Sequence, residues 1–140
     1  MIKLIISGCN GKMGGVVTKI AAEDEIMETV AGFDINTDNA NGYEVYDNPE
    51  NYKERADVII DFSHTLMFEK TIDYSVKTKT PIVVATTGLD ENQKKKMLDA
   101  SKEIPVFFSA NMSVGVNLII ELAQKAAKAL EQKYEIEIIE

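Results

Sequence analysis

Apolar runs of strand length alternate with stretches of helical periodicity along this chain. The first apolar run, at residues 4–7, leads into a glycine-rich turn, and apolar positions then recur at helical spacing over residues 12–23. Residues 28–34 read as a second strand that ends in a carboxylate. The next stretch, residues 36–53, is polar and irregular, with weak strand character only at residues 43–46. We therefore predict mostly loop between the second and third strands.

The same alternation continues through the second half of the chain. The pattern predicts a strand at 57–62, a helix at 65–77, a strand at 81–85, a helix from an N-cap at Asp90 to residue 101, a strand at 105–108, and a long helix after Ser113. Pro81 stands at a strand start, where its missing N–H is tolerated. Because strands and helices alternate, we predict an α/β fold with a parallel sheet and helices on both of its faces.

The last predicted helix carries an apolar stripe, and the chain after it has a strand pattern. The stripe recurs at spacings of three and four residues, which predicts ordinary core packing for Val116, Ile119, Ile120, Ala123, Ala127 and Leu130. Residues 134–139 alternate apolar and charged side chains, as a half-buried strand does.

Composition narrows the class of protein. The 140 residues, 45% of them hydrophobic, suit one domain with a substantial core. A net charge of −8 argues against nucleic acid or an anionic membrane as the main partner, because binding either requires concentrated Lys and Arg. Cys9 is the only cysteine, so an internal disulfide is impossible, and no apolar run is long enough to span a membrane. We expect a cytoplasmic protein.

The glycine-rich turn is the first candidate for chemistry. It reads Gly8-Cys9-Asn10-Gly11-Lys12-Met13-Gly14 and lies between the first strand and the first helix. Glycine lets the backbone approach a phosphate closely, and the N–H groups and dipole of the helix start attract an anion. Glycine used only for close packing is the alternative, and Asn10 stands where G-x-G-x-x-G has its second glycine. We favour a dinucleotide phosphate cradle, and with it a Rossmann-type sheet.

Asp34 is the second candidate. It ends the second strand, 26 positions after Gly8, where dinucleotide-binding folds place a carboxylate that binds the adenosine ribose. A carboxylate accepts hydrogen bonds from the ribose hydroxyls and repels a 2′-phosphate, which favours NAD over NADP. The alternative is that Asp34 only ends the strand and begins the polar loop at 34–41.

Polar residues also cluster where later strands end, at the edge of the sheet where ligands bind. The three clusters are Phe62-Ser63-His64, Thr86-Thr87-Gly88 and Ser109-Ala110-Asn111-Met112-Ser113. They suit a carboxamide and sugars, although helix capping explains Ser113 at least as well. His64 is the only histidine, and we predict that it is a surface or helix-capping residue rather than a proton donor. Asp57 and Asp61 read only as strand termini with exposed faces. We predict no metal site.

The motifs together resemble one family. The glycine turn, Asp61-Phe62-Ser63, Thr86-Thr87-Gly88 and the segment Asn111-Met112-Ser113-Val114-Gly115-Val116-Asn117 are similar to the N-terminal part of 4-hydroxy-tetrahydrodipicolinate reductase, formerly called dihydrodipicolinate reductase. The resemblance runs over residues 1–140. It implies an NADH- or NADPH-dependent oxidoreductase that reduces a cyclic imine dicarboxylate in the diaminopimelate route of lysine biosynthesis.

Transferred position by position, the resemblance assigns cofactor contacts to this chain. They fall on Gly8, Cys9, Asn10, Gly11, Lys12, Met13, Asp34, Ala85, Thr86, Thr87, Ser109, Ala110, Asn111 and Met112, and we add Phe62 from the strand-end clusters. Many family members follow the ribose-binding acid with an arginine that accepts a 2′-phosphate, whereas this chain has Ile35. Lys12 matches a basic position of the loop. We therefore expect NADH to bind at least as well as NADPH.

The family's later motif is not reached. Its signature E-[IV]-x-E-x-H-x-x-x-K-x-D-x-P-S-G-T matches only Glu137-Ile138-Ile139-Glu140, so the histidine proton donor, the lysine and the carboxylate-binding S-G-T would follow. We expect residues 1–133 to form the dinucleotide-binding domain and residues 134–140 to begin a strand leading into an absent substrate domain. We therefore assign no catalytic residue to this chain. We expect the small dicarboxylate substrate to bind only when that missing domain is present. A homo-oligomer is possible. A free-standing dinucleotide-binding or redox-sensing module is the alternative.

Overall fold

A computed structural model describes residues 1–38, 41–109, 111–130, 134, 135 and 137. Strands and helices alternate in it as the hydrophobic pattern predicts. In chain order the elements of the described residues are β1 (Ile2–Ser7), α1 (Lys12–Glu23), β2 (Met27–Phe33), β3 (Val45–Tyr46), a short 3-10 helix (Pro49–Asn51), β4 (Val58–Asp61), α2 (Thr65–Thr78), β5 (Ile82–Val84), α3 (Glu91–Ala100), β6 (Val106–Phe108) and α4 (Val114–Leu130).

The strands form one parallel sheet in the order β3-β2-β1-β4-β5-β6. The chain first builds outward from β1 to β3 and then continues from β4 on the other side of β1. This order is that of the Rossmann fold, in which a crevice opens at the carboxyl ends of the two strands where the direction reverses. The predicted fold class is confirmed, and the crevice lies between the loops that follow β1 and β4.

Helices pack on both faces of the sheet because neighbouring strand residues point to opposite sides. Ile5 and Ile6 of β1 show this division, since both are fully buried but belong to separate apolar clusters. The cluster around Ile5 includes Phe68 of α2 and Met97 of α3. The smaller cluster around Ile6 includes Val17 of α1, together with Cys9, Val45 and Tyr43.

The segment between β2 and β4 is more ordered than predicted. Val45 and Tyr46 pair with Gly32 and Phe33 of β2 and so extend the sheet by one short edge strand. A 3-10 helix follows, with the side chain of Asn48 accepting the N–H of Glu50. The described buried positions of the polar stretch 36–53, namely Val45, Pro49 and Tyr52, are separated by exposed or half-buried residues along the sequence, which is why the hydrophobic pattern gave only a weak signal.

The capping signal in the sequence predicted the start of α3 correctly. The Asp90 side chain accepts the N–H of Gln93 at 2.8 Å, and the Gln93 side chain accepts the N–H of Asp90 at 3.2 Å. This reciprocal pair is a capping box, which confirms the predicted start of α3. None of the helices in the described residues is long and apolar enough to cross a membrane.

The chain divides into two compact units, residues 1–110 and 111–140, which are described separately. In the second unit α4 has no buried residue. A single helix cannot bury its own apolar stripe, so core packing of the stripe stays a prediction. Tyr134, Glu135 and Glu137 lie outside regular structure, and the rest of the strand predicted over 134–139 lies outside the described residues.

Candidate functional site

Gly8 places the end of β1 against the end of β4. Its φ of +77° lies in the left-handed region that favours glycine, and a Cβ there would stand 2.7 Å from the carbonyl oxygen of Phe62. The N–H of Gly8 donates to the carbonyl of Phe33 at 2.7 Å. The turn therefore joins the loops that follow β1, β2 and β4 at one edge of the sheet.

Helix α1 begins immediately beyond this turn with an open amino end. Gly11 is the N-cap, and no side chain caps the helix there. Gly14 packs so closely beneath the turn that a Cβ would lie 2.2 Å from the carbonyl oxygen of Gly8. The first-turn N–H groups thus face the carboxyl edge of the sheet uncapped, which is the arrangement that binds an anion.

Asp34 stands beside the glycine turn at the end of β2. Its carboxylate oxygen Oδ2 accepts the N–H of Asn10 at 2.9 Å, and Oδ1 accepts the N–H of Asn36 at 3.1 Å. The half-buried side chain therefore does begin the polar loop, as the alternative interpretation held. A carboxylate has about four acceptor positions, so two backbone bonds leave capacity for hydroxyl groups of a ligand.

These elements border a cleft of about 290 Å³. Its lining residues are Gly8, Asn10, Gly11, Asp34, Ile35, Asn36, Phe62, Ser63, His64 and Met67. The structure thus brings together five of the predicted cofactor contacts, namely Gly8, Asn10, Gly11, Asp34 and Phe62. Ile35, Asn36 and Met67 were not predicted. The first two directly follow the ribose-binding candidate, which is the signal that could have found them.

Cys9 points away from this cleft into the protein. It is 0% exposed, and burial, aided by the charge of Asp34, raises the pKa of its thiol to about 11. Gly32 leaves the room for it, because a Cβ on Gly32 would lie 2.4 Å from the Cys9 sulfur. Beside it Tyr43 and Thr18 share a 2.6 Å hydroxyl hydrogen bond, and burial raises the pKa of Tyr43. Any contact of Cys9 with a cofactor therefore uses its backbone.

The Cys9 thiol is expected to resist alkylation in the folded protein. At pH 8 a thiol of pKa about 11 holds on the order of a hundredfold less reactive thiolate than one at the ordinary value of 9.0, and burial hinders access further. Iodoacetamide labelling, followed by intact mass, should be slow in buffer and fast in concentrated urea. Equal labelling rates under the two conditions would contradict the buried, protonated thiol.

The structure contradicts the prediction that Asp61 is an exposed strand terminus. Its side chain is 0% exposed. One carboxylate oxygen accepts the hydroxyl of Thr86 at 2.6 Å, and the other accepts the N–H of Ser63 at 3.3 Å. Asp57, by contrast, is exposed as predicted and accepts the N–H of Lys3 at 2.8 Å. Asp61 therefore connects the loops that follow β4 and β5, the first of which lines the cleft.

The remaining predicted contacts of the first unit lie outside the cleft lining. Thr86 is buried with its hydroxyl on Asp61, so it offers a ligand only its backbone. Lys12 and Met13 are exposed in the first turn of α1. Ala85 is half-buried, Thr87 is exposed and Ser109 is half-buried. Ala110 lies outside the described residues.

Helix capping accounts for one residue in each of two polar clusters. His64 is the N-cap of α2, with its ring Nδ1 accepting the N–H of Leu66. In the second unit the Ser113 hydroxyl accepts the N–H of Val116 at 3.4 Å, while Asn111 accepts the N–H of Ser113 at 2.9 Å. The capping interpretation is thus confirmed for both His64 and Ser113. Asn111 and Met112 belong to this separately described unit.

The geometry agrees with what comparison with known protein families finds. The family described as "Dihydrodipicolinate reductase, N-terminus" matches residues 2–112. A 4-hydroxy-tetrahydrodipicolinate reductase of Caldanaerobacter subterraneus subsp. tengcongensis is 51% identical over all 140 residues, which cover 55% of that relative. One from Clostridium perfringens strain SM101 is 40% identical, with 100% of this chain and 56% of the relative covered. The chain thus spans about half the length of the curated relatives it matches.

Solved structures show the same fold. A dipicolinate-bound dihydrodipicolinate reductase from Paenisporosarcina sp. TG-14 aligns with a TM-score of 0.75 at 23% identity, covering 91% of this chain and 54% of that one. A myo-inositol 2-dehydrogenase from Lactobacillus plantarum aligns with a TM-score of 0.66 at 19% identity, covering 96% and 43%.

Proposed function

Because the chain belongs to the dihydrodipicolinate reductase family, whose N-terminal domain it matches, we propose that it binds NADH or NADPH in the cleft between β1 and β4. The observation that carries the proposal is the joint position of Asp34 and the glycine turn. A carboxylate for ribose hydroxyls and uncapped amides for a pyrophosphate lie side by side at the switch point of the sheet.

The residues present fit such a ligand. Gly8 lets the end of β1 pack directly against the backbone of Phe62 and Ser63, which brings the glycine turn and the loop after β4 to one side of the cleft. The N–H groups at the start of α1 bind the anion, and Asp34 orients the adenosine ribose. Ile35 and His64 border the same cleft and are placed for contact with a flat aromatic base.

The bound nicotinamide would supply a hydride for reduction of a cyclic imine dicarboxylate. In this proposal residues of the chain bind and orient the dinucleotide, with backbone groups of Ala85, Thr86 and Thr87 toward the nicotinamide side. The contacts expected from segment 109–112 stay a prediction. The proton donor and the dicarboxylate-binding residues belong to the substrate domain that follows residues 134–140 in the family pattern. Residues 1–133 are then the dinucleotide-binding domain. Assembly into a homo-oligomer belongs to the same proposal.

We further propose that NADH binds at least as tightly as NADPH. Asp34 repels a 2′-phosphate, and Ile35 offers it no charge, whereas Lys12 supplies at most one exposed cation nearby. Calorimetric titration of the 140-residue chain with each dinucleotide tests this expectation. Binding of NADPH more than about tenfold tighter would contradict it, since that corresponds to about 1.4 kcal/mol in the opposite direction.

A further inference from the structure

The side chain of Asn10 joins the glycine turn to the loop that follows β2. Its Nδ2 donates to the carbonyl of Asn36 at 2.7 Å and to that of Asp38 at 3.0 Å. Its Oδ1 accepts a hydrogen bond from the Nδ2 of Asn41 at 3.1 Å. The Nδ2 of Asn41 also donates to the carbonyl of Cys9 at 3.1 Å. All of the polar atoms of the Asn10 amide therefore act between two segments that are distant in sequence.

The segment fastened in this way is the one that carries Asp34. The Asn10 backbone N–H donates to Asp34 Oδ2, and the side chain holds the carbonyls two and four residues further on. Asp34 itself bonds the N–H of Asn36. Four bonds thus hold the carboxylate and its segment relative to the phosphate-binding turn, and two of the four come from the side-chain amide of Asn10.

We propose that Asn10 is a positioning residue for discrimination between NADH and NADPH, an inference that rests on the function proposed above. Its side chain keeps segment 34–38 against the glycine turn, so that the Asp34 carboxylate stays where it binds ribose hydroxyls and opposes a 2′-phosphate. When the amide is lost, the segment loses both side-chain bonds to the turn, and only the backbone N–H of Asn10 still holds the carboxylate. NADH then loses its ribose contact, whereas NADPH is relieved of a repulsion.

The variants Asn10→Ala and Asn10→Gly test this role. Among the described residues only Lys79 and three glycines have a positive φ, so alanine introduces no backbone strain at position 10. Glycine removes the same side-chain amide and provides a second variant should alanine fold poorly. In both variants the NADH Kd should rise about tenfold while the NADPH Kd changes by less than about threefold, as expected when the ribose hydroxyls lose their hydrogen bonds to the charged Asp34 carboxylate.

A double-mutant cycle with Asp34→Asn separates positioning from a general effect. Asp34→Asn alone should shift the NADH/NADPH ratio in the same direction as Asn10→Ala. In the Asp34→Asn background, Asn10→Ala should leave that ratio unchanged, because the carboxylate whose position it controls is gone. A further shift in the ratio would overturn the proposal.

The control variant is Asn48→Ala, which removes an exposed asparagine cap from the 3-10 helix. It should leave both dissociation constants unchanged, and thermal unfolding of every variant reports stability separately. Equal weakening of both dinucleotides by Asn10→Ala and Asn10→Gly, or no change in either, would overturn the positioning role while leaving the proposed function intact. Failure of the unchanged chain to bind either dinucleotide would refute the proposed function and this inference with it.

Discussion

Gly14→Ala should destabilise the protein by about 3 kcal/mol or more, the upper range for forcing an added methyl into a packed site. Its Cβ would stand 2.2 Å from the carbonyl oxygen of Gly8 and 2.6 Å from the Cα of Cys9. Both contacts are with backbone atoms, which cannot rotate away, so α1 must move off the turn. Urea unfolding followed by circular dichroism measures the loss, and NADH titration should show weaker binding in any folded fraction.

Gly15→Ala is the matched control for this substitution. The two glycines are neighbours in the same helix, but a Cβ on Gly15 meets nothing within 4 Å. Alanine there should stabilise the protein by roughly 0.5–1 kcal/mol through helix propensity. If the two variants unfolded at the same urea concentration, the close packing of α1 beneath the glycine turn would be wrong.

Asp61→Ala should cost about 2–3 kcal/mol, because it leaves the buried hydroxyl of Thr86 and the N–H of Ser63 without their acceptor. Asp61→Asn keeps the shape and one acceptor oxygen, so it should cost less. Thermal and urea unfolding of the variants measure both losses. Because the carboxylate connects the loops after β4 and β5, we also expect weaker dinucleotide binding by the alanine variant.

Asp57→Ala provides the control at the other end of the same strand. That carboxylate is exposed and accepts one backbone N–H, so its loss should change the free energy of unfolding by about 0.5 kcal/mol or less. Similar losses for Asp57→Ala and Asp61→Ala would show that the buried Asp61 contacts contribute no more to stability than the exposed contact of Asp57.

Local signals were sufficient for much of the fold. Hydrophobic periodicity placed α1 at its observed bounds, and the capping box at Asp90 placed the start of α3. These features depend on residues within one or two turns of each other. The short strand β3 depends on pairing with Gly32 and Phe33, more than ten residues earlier, and local pattern alone could give it only a weak signal.

Some residues of the candidate site could likewise be predicted from local sequence signals, and others could not. Glycine spacing and the carboxylate at the second strand end pointed to Gly8 and Asp34, which do border one cleft. The contacts of Asn10 and Asp61 could not be predicted. The partners of Asn10 lie 24 to 31 positions away along the chain, and Thr86, the hydroxyl partner of Asp61, lies 25 positions away. An asparagine in a turn or an acid at a strand end looks the same in sequence whether water or a distant segment satisfies it.

Gly32 packs against the Cys9 sulfur, so the volumes of the side chains at these two positions are coupled. A Cβ added at position 32 would lie 2.4 Å from the Cys9 sulfur and 2.9 Å from the Tyr43 ring, so a side chain can grow there only if both neighbours give way. Engineering that removes the single thiol, for example to attach a fluorophore elsewhere, thereby opens a void facing β2. Filling that void from position 32 of β2 also requires the Tyr43 ring to shift, because the added Cβ would lie 2.9 Å from it.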